Sequence, residues 1–201
     1  MKAPHAIIGL VAALALAACA TPPGPVEVTR FVAPERLGEI GRGTFFVEAM
    51  HGDEASNLEL APYKAAVASE LVKLGFVETD RETATLVAQV GVKRGVIAAG
   101  ERRGPVSVGV GGSTGSYGSG LGLGIGINLG GGPKDRLGTE LAVRLSEKDG
   151  ATSVWEGRAD FRPPEDSPLA QGKANAQTVA SALFRDFPGN NGETIAVKVS
   201  E

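Results

Sequence analysis

The clearest catalytic pattern in the chain is Gly111–Gly115, which matches the G-x-S-x-G nucleophile elbow of hydrolases with Ser113 as nucleophile. Such an elbow places its serine between a strand and a helix, and a histidine base follows downstream. Here the residues after Ser113 are mostly glycine and serine, which form helices poorly. The histidine nearest to these residues, His51, lies upstream. A hydrolase therefore remains only as a second alternative function.

The next candidate is His51 itself, which lies beside Asp53 and Glu54 and could act as a metal ligand or a general base. A metal site needs several such ligands, but no other histidine or cysteine follows Cys19. Residues 104–132 are rich in glycine, yet they contain neither the dinucleotide-binding nor the P-loop spacing. The sequence thus predicts no catalytic residue, no metal ligand and no cofactor.

Cys19 carries the most specific chemical pattern in the sequence. It follows Leu16-Ala17-Ala18 and ends an apolar run from Ile7 to Ala18. A basic start before a short apolar run is typical of a secretory signal, and this run is short for a membrane span. Residues 16–19 resemble the lipobox of bacterial lipoproteins, which implies that the Cys19 thiol is acylated and that Cys19 becomes the new N-terminus. An ordinary cleaved signal is the alternative.

The residues around Cys19 predict where the chain is held. Three acyl chains would anchor it firmly, since two already do so. Ala20 stands where an aspartate would favour the inner membrane, so the sorting rule for such lipoproteins predicts the outer membrane. We therefore divide the chain into a signal at residues 1–18, a proline-rich tether at residues 19–25 and one domain at residues 26–201.

Composition narrows the classes of partner. The formal net charge is −3, which makes a nucleic-acid partner improbable because phosphate neutralisation supplies most of that affinity. Cys19 is the sole cysteine, so no disulfide can stabilise the domain. A packed apolar core must do so instead.

Apolar spacing predicts the elements of that core. Period-two alternation predicts strands at residues 26–31, 43–50, 83–95 and 193–200, and a hairpin at residues 139–161 with Trp155 in its core-facing pattern. Helical spacing predicts one helix that starts at Pro62 and stops at Gly75, and another that is capped by Ser167. We predict an α+β fold of two layers, a mostly antiparallel sheet of about six or seven strands with two helices on one face.

A long glycine-rich hairpin is predicted within residues 104–132. Valine, leucine and isoleucine recur there with period two, whereas strand glycines cost roughly 0.5–1 kcal/mol each. The stretch can be ordered if its apolar face is covered. The hairpin could extend the domain's own sheet, meet a partner subunit or the bilayer, or stay disordered. The candidate interaction surface comprises Leu121, Leu123, Ile125, Ile127, Tyr117, Arg102 and Arg103.

A local basic cluster precedes this stretch and consists of Lys93, Arg94, Arg102 and Arg103. A solvated loop is the simpler interpretation. Contact with anionic headgroups or lipopolysaccharide is the alternative.

Five segments occur in a recognisable order: TFFV, PYKAAVASELVKLGF, LVAQVGV, VWEGRADF and ALFRDFPG. In this order the chain resembles a family of bacterial lipoproteins built on a domain of unknown function, number four-one-three-six. The resemblance covers residues 26–188, and the glycine-rich hairpin and the tail beyond Gly189 depart from a minimal member. It implies an acylated envelope protein with an α+β domain, and it implies no known reaction.

We therefore expect a non-enzymatic lipoprotein on the periplasmic face of the outer membrane. It would touch the membrane through its lipid anchor and would bind or scaffold another envelope protein, with no nucleic acid involved. The alternative is an oligomeric, membrane-active assembly that uses the glycine-rich hairpin.

Overall fold

Seven strands form one mixed sheet, and two helices pack on one of its faces, in a computed structural model of the chain. The structure describes residues 22–33, 35, 43–52, 57–98, 106–113, 120–127, 135–149 and 152–199. The elements in chain order are β1 Val26–Val32, β2 Thr44–Ala49, α1 Asn57–Lys73, β3 Val77–Glu78, β4 Leu86–Ile97, β5 Val106–Ser113, β6 Gly120–Ile127, β7 Arg136–Glu147, β8 Ser153–Phe161, α2 Gly172–Leu183 and β9 Glu193–Val197.

The sheet order is β3-β2-β4-β7-β8-β1-β9. β2 pairs in parallel with β3 and β4, and every other pairing in this sheet is antiparallel. This arrangement confirms the predicted α+β class, the strand number and the two helices.

The core lies between the helices and the inner face of the sheet. α1 packs over β2 and β4, α2 packs over β8 and β1, and the helices contact each other. Most of the predicted core positions are buried, including Trp155 at 1% exposure, since alternate strand residues share a face, whereas Leu74, Leu86, Ile195 and Val199 are partly buried. The buried stripes of the helices are Tyr63, Val67 and Leu71 in α1 and Ala176, Val179, Ala180 and Leu183 in α2.

Helix α1 begins earlier than predicted, at Asn57, so Pro62 lies inside the helix rather than at its first position. Only the first four N–H groups of a helix lack a partner within it, so Pro62 costs one bond of the second turn. The end of α1 is as predicted. Gly75 has φ +96°, and the N–H of Phe76 donates to the Leu71 oxygen at 3.1 Å.

The second predicted helix is divided in two. Ser167 caps a 3-10 turn at Pro168–Ala170, and its hydroxyl accepts a bond from the Leu169 N–H at 3.2 Å. Gln171 is extended and Gly172 has φ +26°, so α2 starts only there. The predicted cap is confirmed, but the predicted continuous helix is wrong, because the chain bends at a residue where glycine tolerates positive φ.

The two glycine-rich strands pair with each other. β5 and β6 form an antiparallel sheet of two, and in the described part of the chain neither pairs with the seven-stranded sheet. This differs from the alternative in which the hairpin adds strands to that sheet. Its neighbours in sequence, β4 and β7, already pair with each other as far as Ile97 and Arg136.

Candidate functional site

One end of the sheet holds both the start of the domain and the two strand ends, of β4 and β7, between which the glycine-rich hairpin lies in the sequence. A Cβ added at Gly24 would lie 3.9 Å from Nη1 of Arg136. Arg136 pairs with Ile97, the last residue of β4. Residues 22–25 therefore lie beside the strand ends that lead into and out of residues 98–135. We call this end, marked by Gly24, Ile97 and Arg136, the tether end.

Backbone contacts fix the position of Arg136 at the tether end. Its Nη1 donates to the Arg162 carbonyl at 2.7 Å. The next residue, Leu137, donates its N–H to the Pro163 carbonyl at 3.0 Å, and Arg136 forms an isolated bridge with Pro164. The segment after β8 thus holds the start of β7 in place.

Two apolar side chains are exposed at the tether end. Val96 and Ile97, the last residues of β4, are 59% and 44% exposed. Single exposed apolar residues are ordinary on a protein surface. Val96 and Ile97 are neighbours on opposite faces of β4, so each face of this strand end exposes one apolar side chain and is a candidate contact with an apolar phase.

A cleft of about 660 Å³ lies where β2 ends and β4 continues. Gly91 of β4 pairs with Ala142 of β7, and these small residues leave room between longer neighbours. The charged and titratable residues that line the cleft are His51, Glu59, Lys93, Arg94, Glu140 and Arg158. With charges of both signs, this cleft can bind a polar partner through ion pairs and hydrogen bonds.

Arg94 lines the cleft and also contacts the 3-10 turn at Pro168–Ala170. Its Nη2 donates to the Ala170 carbonyl at 2.8 Å. Its Nε is buried and has no hydrogen-bond partner among the residues that the structure describes. The guanidinium therefore keeps capacity to donate to a further acceptor.

A buried pair, Tyr63 and Asn175, joins the two helices. The Tyr63 hydroxyl donates to Oδ1 of Asn175 at 2.8 Å, and Nδ2 of Asn175 donates to the Leu169 carbonyl at 3.0 Å. Burial raises the pKa of Tyr63 above its ordinary value, which keeps the hydroxyl neutral. This pair holds the helices and the 3-10 turn in register.

A second arginine, Arg30 of β1, is fully buried at the opposite end of the core. Its Nε donates to the Leu183 carbonyl at 3.1 Å and its Nη2 to the Ala182 carbonyl at 3.4 Å. Its Nη1 pairs with Oε1 of Glu193 at 2.7 Å, and this guanidinium holds the pKa of the Glu193 carboxyl below its usual range. Sequence reasoning missed Arg30, although its place in the VEVTRFV alternation put a charge on the core face.

The predicted interaction residues are only partly placed. Cys19, Arg102, Arg103 and Tyr117 lie outside the described residues. The other predicted residues belong to β6, whose backbone pairs with β5; they are Leu121, Leu123, Ile125 and Ile127.

Two predicted features can be compared with the backbone. Lys93 and Arg94, which the sequence grouped together, are neighbours on opposite faces of β4 and both line the cleft. Ser113 ends a strand whose partner, β6, begins at Gly120, so the pairing supplies a hairpin rather than the strand-to-helix turn of a nucleophile elbow.

Two further observations concern all of the described residues and not the cleft alone. No group of three or more histidine, cysteine, aspartate or glutamate side chains lies close enough together to hold a metal ion in these ranges. Among the helices that the structure describes, none has the length and apolar character needed to span a bilayer.

No family model matches the chain. An uncharacterized protein of Zymomonas mobilis is 33% identical over 64 residues, which are 32% of this chain and 24% of that protein. The chain thus matches about a quarter of the length of this curated relative.

Two solved structures are similar in fold to a limited degree. A PDZ domain protein from Parabacteroides distasonis is 16% identical with a TM-score of 0.48, over 93% of this chain and 42% of that chain. A PelC dodecamer from Paraburkholderia phytofirmans is 12% identical with a TM-score of 0.45, over 79% of this chain and 94% of that chain. Because both TM-scores lie below 0.5, neither likeness bears on function.

Proposed function

We propose that this chain is a lipoprotein anchored in the outer membrane and facing the periplasm, which acts without catalysis by binding or scaffolding another envelope component. The lipobox-like residues 16–19 and the segment order that resembles the lipoprotein family of domain four-one-three-six support this proposal, and we include membership of that family in it. The observation that carries it is the tether end, where residues 22–25 lie beside Arg136.

The tether end gives the anchor a definite orientation. Cys19 precedes Pro22 by three residues, which span at most about 11 Å when fully extended. Acyl chains on Cys19 would therefore hold the tether end close to the bilayer. The cleft around Lys93 and Glu140 lies four residues along β4 and β7 from Ile97 and Arg136, a distance of about 13 Å.

We place the contact with the envelope partner at this cleft. Lys93 of β4 pairs directly with Glu140 of β7, and Arg158 of β8 lies beside Ala142. Both charge signs therefore line a surface about 13 Å from the tether end, close to the proposed anchor. A partner with exposed acidic and basic side chains fits this arrangement.

The anchor is tested by replacing Cys19 in the full chain. Cys19→Ala should release the protein from the membrane fraction, and the wild-type protein should carry the added mass of acyl chains. Ala20→Asp is the matched variant, because it should leave acylation intact and move the protein to the inner membrane. A wild-type protein that carries no lipid mass and stays in the periplasmic extract would contradict the proposal.

The cleft is tested by crosslinking in intact cells followed by mass spectrometry. Lys93→Glu should reduce the yield of the crosslinked partner, since it places a second acid beside Glu140. Lys148→Glu, an exposed charge reversal at the far end of β7, is the control and should leave the yield unchanged. Equal yields from both variants would place the partner contact elsewhere.

A second candidate function is an oligomeric, membrane-active assembly. The pairing of β5 and β6 with each other alone, among the described residues, favours it, because each strand then has an outer edge on which another copy can pair. Light scattering on the acyl-free chain from Thr21, with and without detergent, tests this function. A strict monomer in both conditions removes it.

A further inference from the structure

The register of the glycine-rich hairpin separates aliphatic residues from glycine and serine in every pair except that of Gly112 with Leu121. Val106 pairs with Ile127, Val108 with Ile125 and Val110 with Leu123. The intervening pairs, together with the pair of Ser113 and Gly120, contain only glycine and serine. Because alternate residues share a face, one face of the hairpin carries the aliphatic positions together with Gly112, and the other carries only glycine and serine positions.

The aliphatic face needs an apolar neighbour. Glycine has the largest backbone entropy to lose on ordering, so a strand with a glycine at every second position is formed only with compensation from its other face. Transfer of aliphatic side chains out of water supplies that compensation. The question is which apolar phase lies within reach.

The position of the tether end indicates which apolar phase the aliphatic face can reach. The β4 strand ends at Ile97 and β5 begins nine residues later, a connection that spans at most about 32 Å. The same strand end lies beside residues 22–25 and carries the exposed Val96 and Ile97. The membrane that would receive the acyl chains of Cys19 is therefore an apolar phase within reach of the hairpin.

We infer that the hairpin β5–β6 contacts the lipid bilayer, with its aliphatic face in the hydrocarbon and its glycine and serine face toward water. This inference rests on the proposed anchor at Cys19. It assigns the hairpin to the lipid surface rather than to a protein partner. The aliphatic face comprises Val106, Val108, Val110, Leu121, Leu123, Ile125 and Ile127.

The sole cysteine makes a direct test practicable. Acylation uses the Cys19 thiol, so one introduced cysteine in the full lipidated chain can be labelled alone with an environment-sensitive fluorophore. The probes are cysteines at residues 121–126 in turn, in liposomes that contain nitroxide-labelled phospholipid. Glu82→Cys, an exposed position that precedes β4 at the end away from Ile97, is the control and should show no quenching.

The expected result is an alternation along β6. Quenching should be at least about threefold stronger at positions 121, 123 and 125 than at positions 122, 124 and 126, because lipid-facing and water-facing strand residues alternate. Equal quenching at neighbouring positions, or none at all, in protein whose mass confirms acylation of Cys19 would overturn the inference and leave the anchor intact. Protein without acyl mass would overturn the proposed function and this inference with it.

Two adjacent substitutions give a matched comparison. With the fluorophore at Ile125→Cys, Leu123→Lys should abolish most of the quenching because it places a charge on the aliphatic face. Gly124→Lys should retain the quenching because it places the same charge on the other face. Both proteins should stay in the membrane fraction through Cys19, and an equal effect of the two lysines would contradict the assignment of faces.

Discussion

Arg30 and Arg94 both lie on the inner face of the sheet, at opposite ends of the core, and their surroundings differ. Arg30 is fully buried, and its guanidinium bonds to three backbone carbonyls and to Glu193. Arg94 is half-buried, it lines the cleft, and its Nε has no partner within the described ranges. One guanidinium is saturated by the protein and the other keeps a free donor.

The comparison separates an arginine that completes a helix end from one that lines the cleft proposed to bind a partner. The last carbonyls of a helix have no partner within it, and Arg30 supplies donors to those of Ala182 and Leu183 at the end of α2. Nearby, Trp155 stacks on Phe184 with ring centroids 5.3 Å apart and donates its Nε1–H to the Pro188 carbonyl at 2.9 Å. The Arg30 end is thus closed, whereas the Arg94 end is open to the cleft and the tether end.

Removal of the two arginines should have unequal effects on the free energy of unfolding. Arg30→Met should cost about 3 kcal/mol or more, because three carbonyls near the end of α2 lose their donor and each unsatisfied buried acceptor costs about 1–3 kcal/mol. Arg94→Met should cost about 1 kcal/mol or less, since it removes one hydrogen bond at a half-buried site. Urea unfolding of the acyl-free chain from Thr21 measures both. Similar losses would contradict the comparison.

Added methyl groups should also distinguish the two ends. A Cβ at Gly157, which pairs with Arg30, would lie 2.3 Å from Cη2 of Trp155 and 2.8 Å from Cδ1 of Leu183. Gly157→Ala should therefore cost about 1–3 kcal/mol through overpacking. Gly138→Ala should change stability by less than about 0.5 kcal/mol, because its nearest contact is Cδ1 of the exposed Ile97 at 2.9 Å. The urea midpoints of the two variants decide this prediction, and equal shifts would show that both ends are packed alike.

Loss of one hydroxyl tests how tightly the helices are joined near Arg94. Tyr63→Phe should lower the free energy of unfolding by about 1 kcal/mol, because it leaves Oδ1 of Asn175 without its donor in a buried place. Thr178→Val is the control, since the bond from its Oγ1 to the Ala174 carbonyl stays within α2. If Tyr63→Phe unfolds at the wild-type urea midpoint, the Tyr63–Asn175 bond adds nothing to stability.

Acid should weaken the Arg30 end selectively, with the smallest of the expected effects because Glu193 is partly exposed. The hydrogen bond from Arg30, followed by those from Asn190, lowers the pKa of Glu193 below 4.5. This contribution to stability is fully present above pH 4.5 and is lost as the pH falls through the lower folded pKa. Glu193→Gln should remove that part of the acid dependence. Unfolding curves over this pH range measure it, and parallel curves for both proteins would refute it.

Regular apolar spacing predicted the longer strands and the two helices. Local changes of backbone direction and very short elements were not predicted. Period-two alternation located the strands, and Gly75 correctly marked the end of α1. The break at Gly172 was not predicted, because the segment PLAQGKAN at residues 168–175 gives no sign that Gln171 is extended. The two-residue β3 is too short to show any period.

The candidate site was predictable only in part, since it depends on which strands become neighbours. The sequence identified the lipobox-like Cys19 and the alternating β6 residues, but it did not place the tether beside Arg136. That contact follows from the pairing of β4 with β7 and of β1 with β8. The cleft likewise results from a difference in strand length, because β2 stops at Ala49 while β4 continues to Ile97.

The position of β1 in the sheet has a mechanical consequence. β1 is hydrogen-bonded to β8 from Val26 to Val32 and to β9 from Val26 to Arg30. Tension applied at Val26 through the proposed lipid anchor, and directed along the strand, would load both ladders at once, in shear, instead of peeling bonds apart one by one. Before β9 docks, β1 is an edge strand that can be peeled. The hydrogen bonding of β1 on both of its edges is therefore complete only after residues 193–197 have joined the sheet.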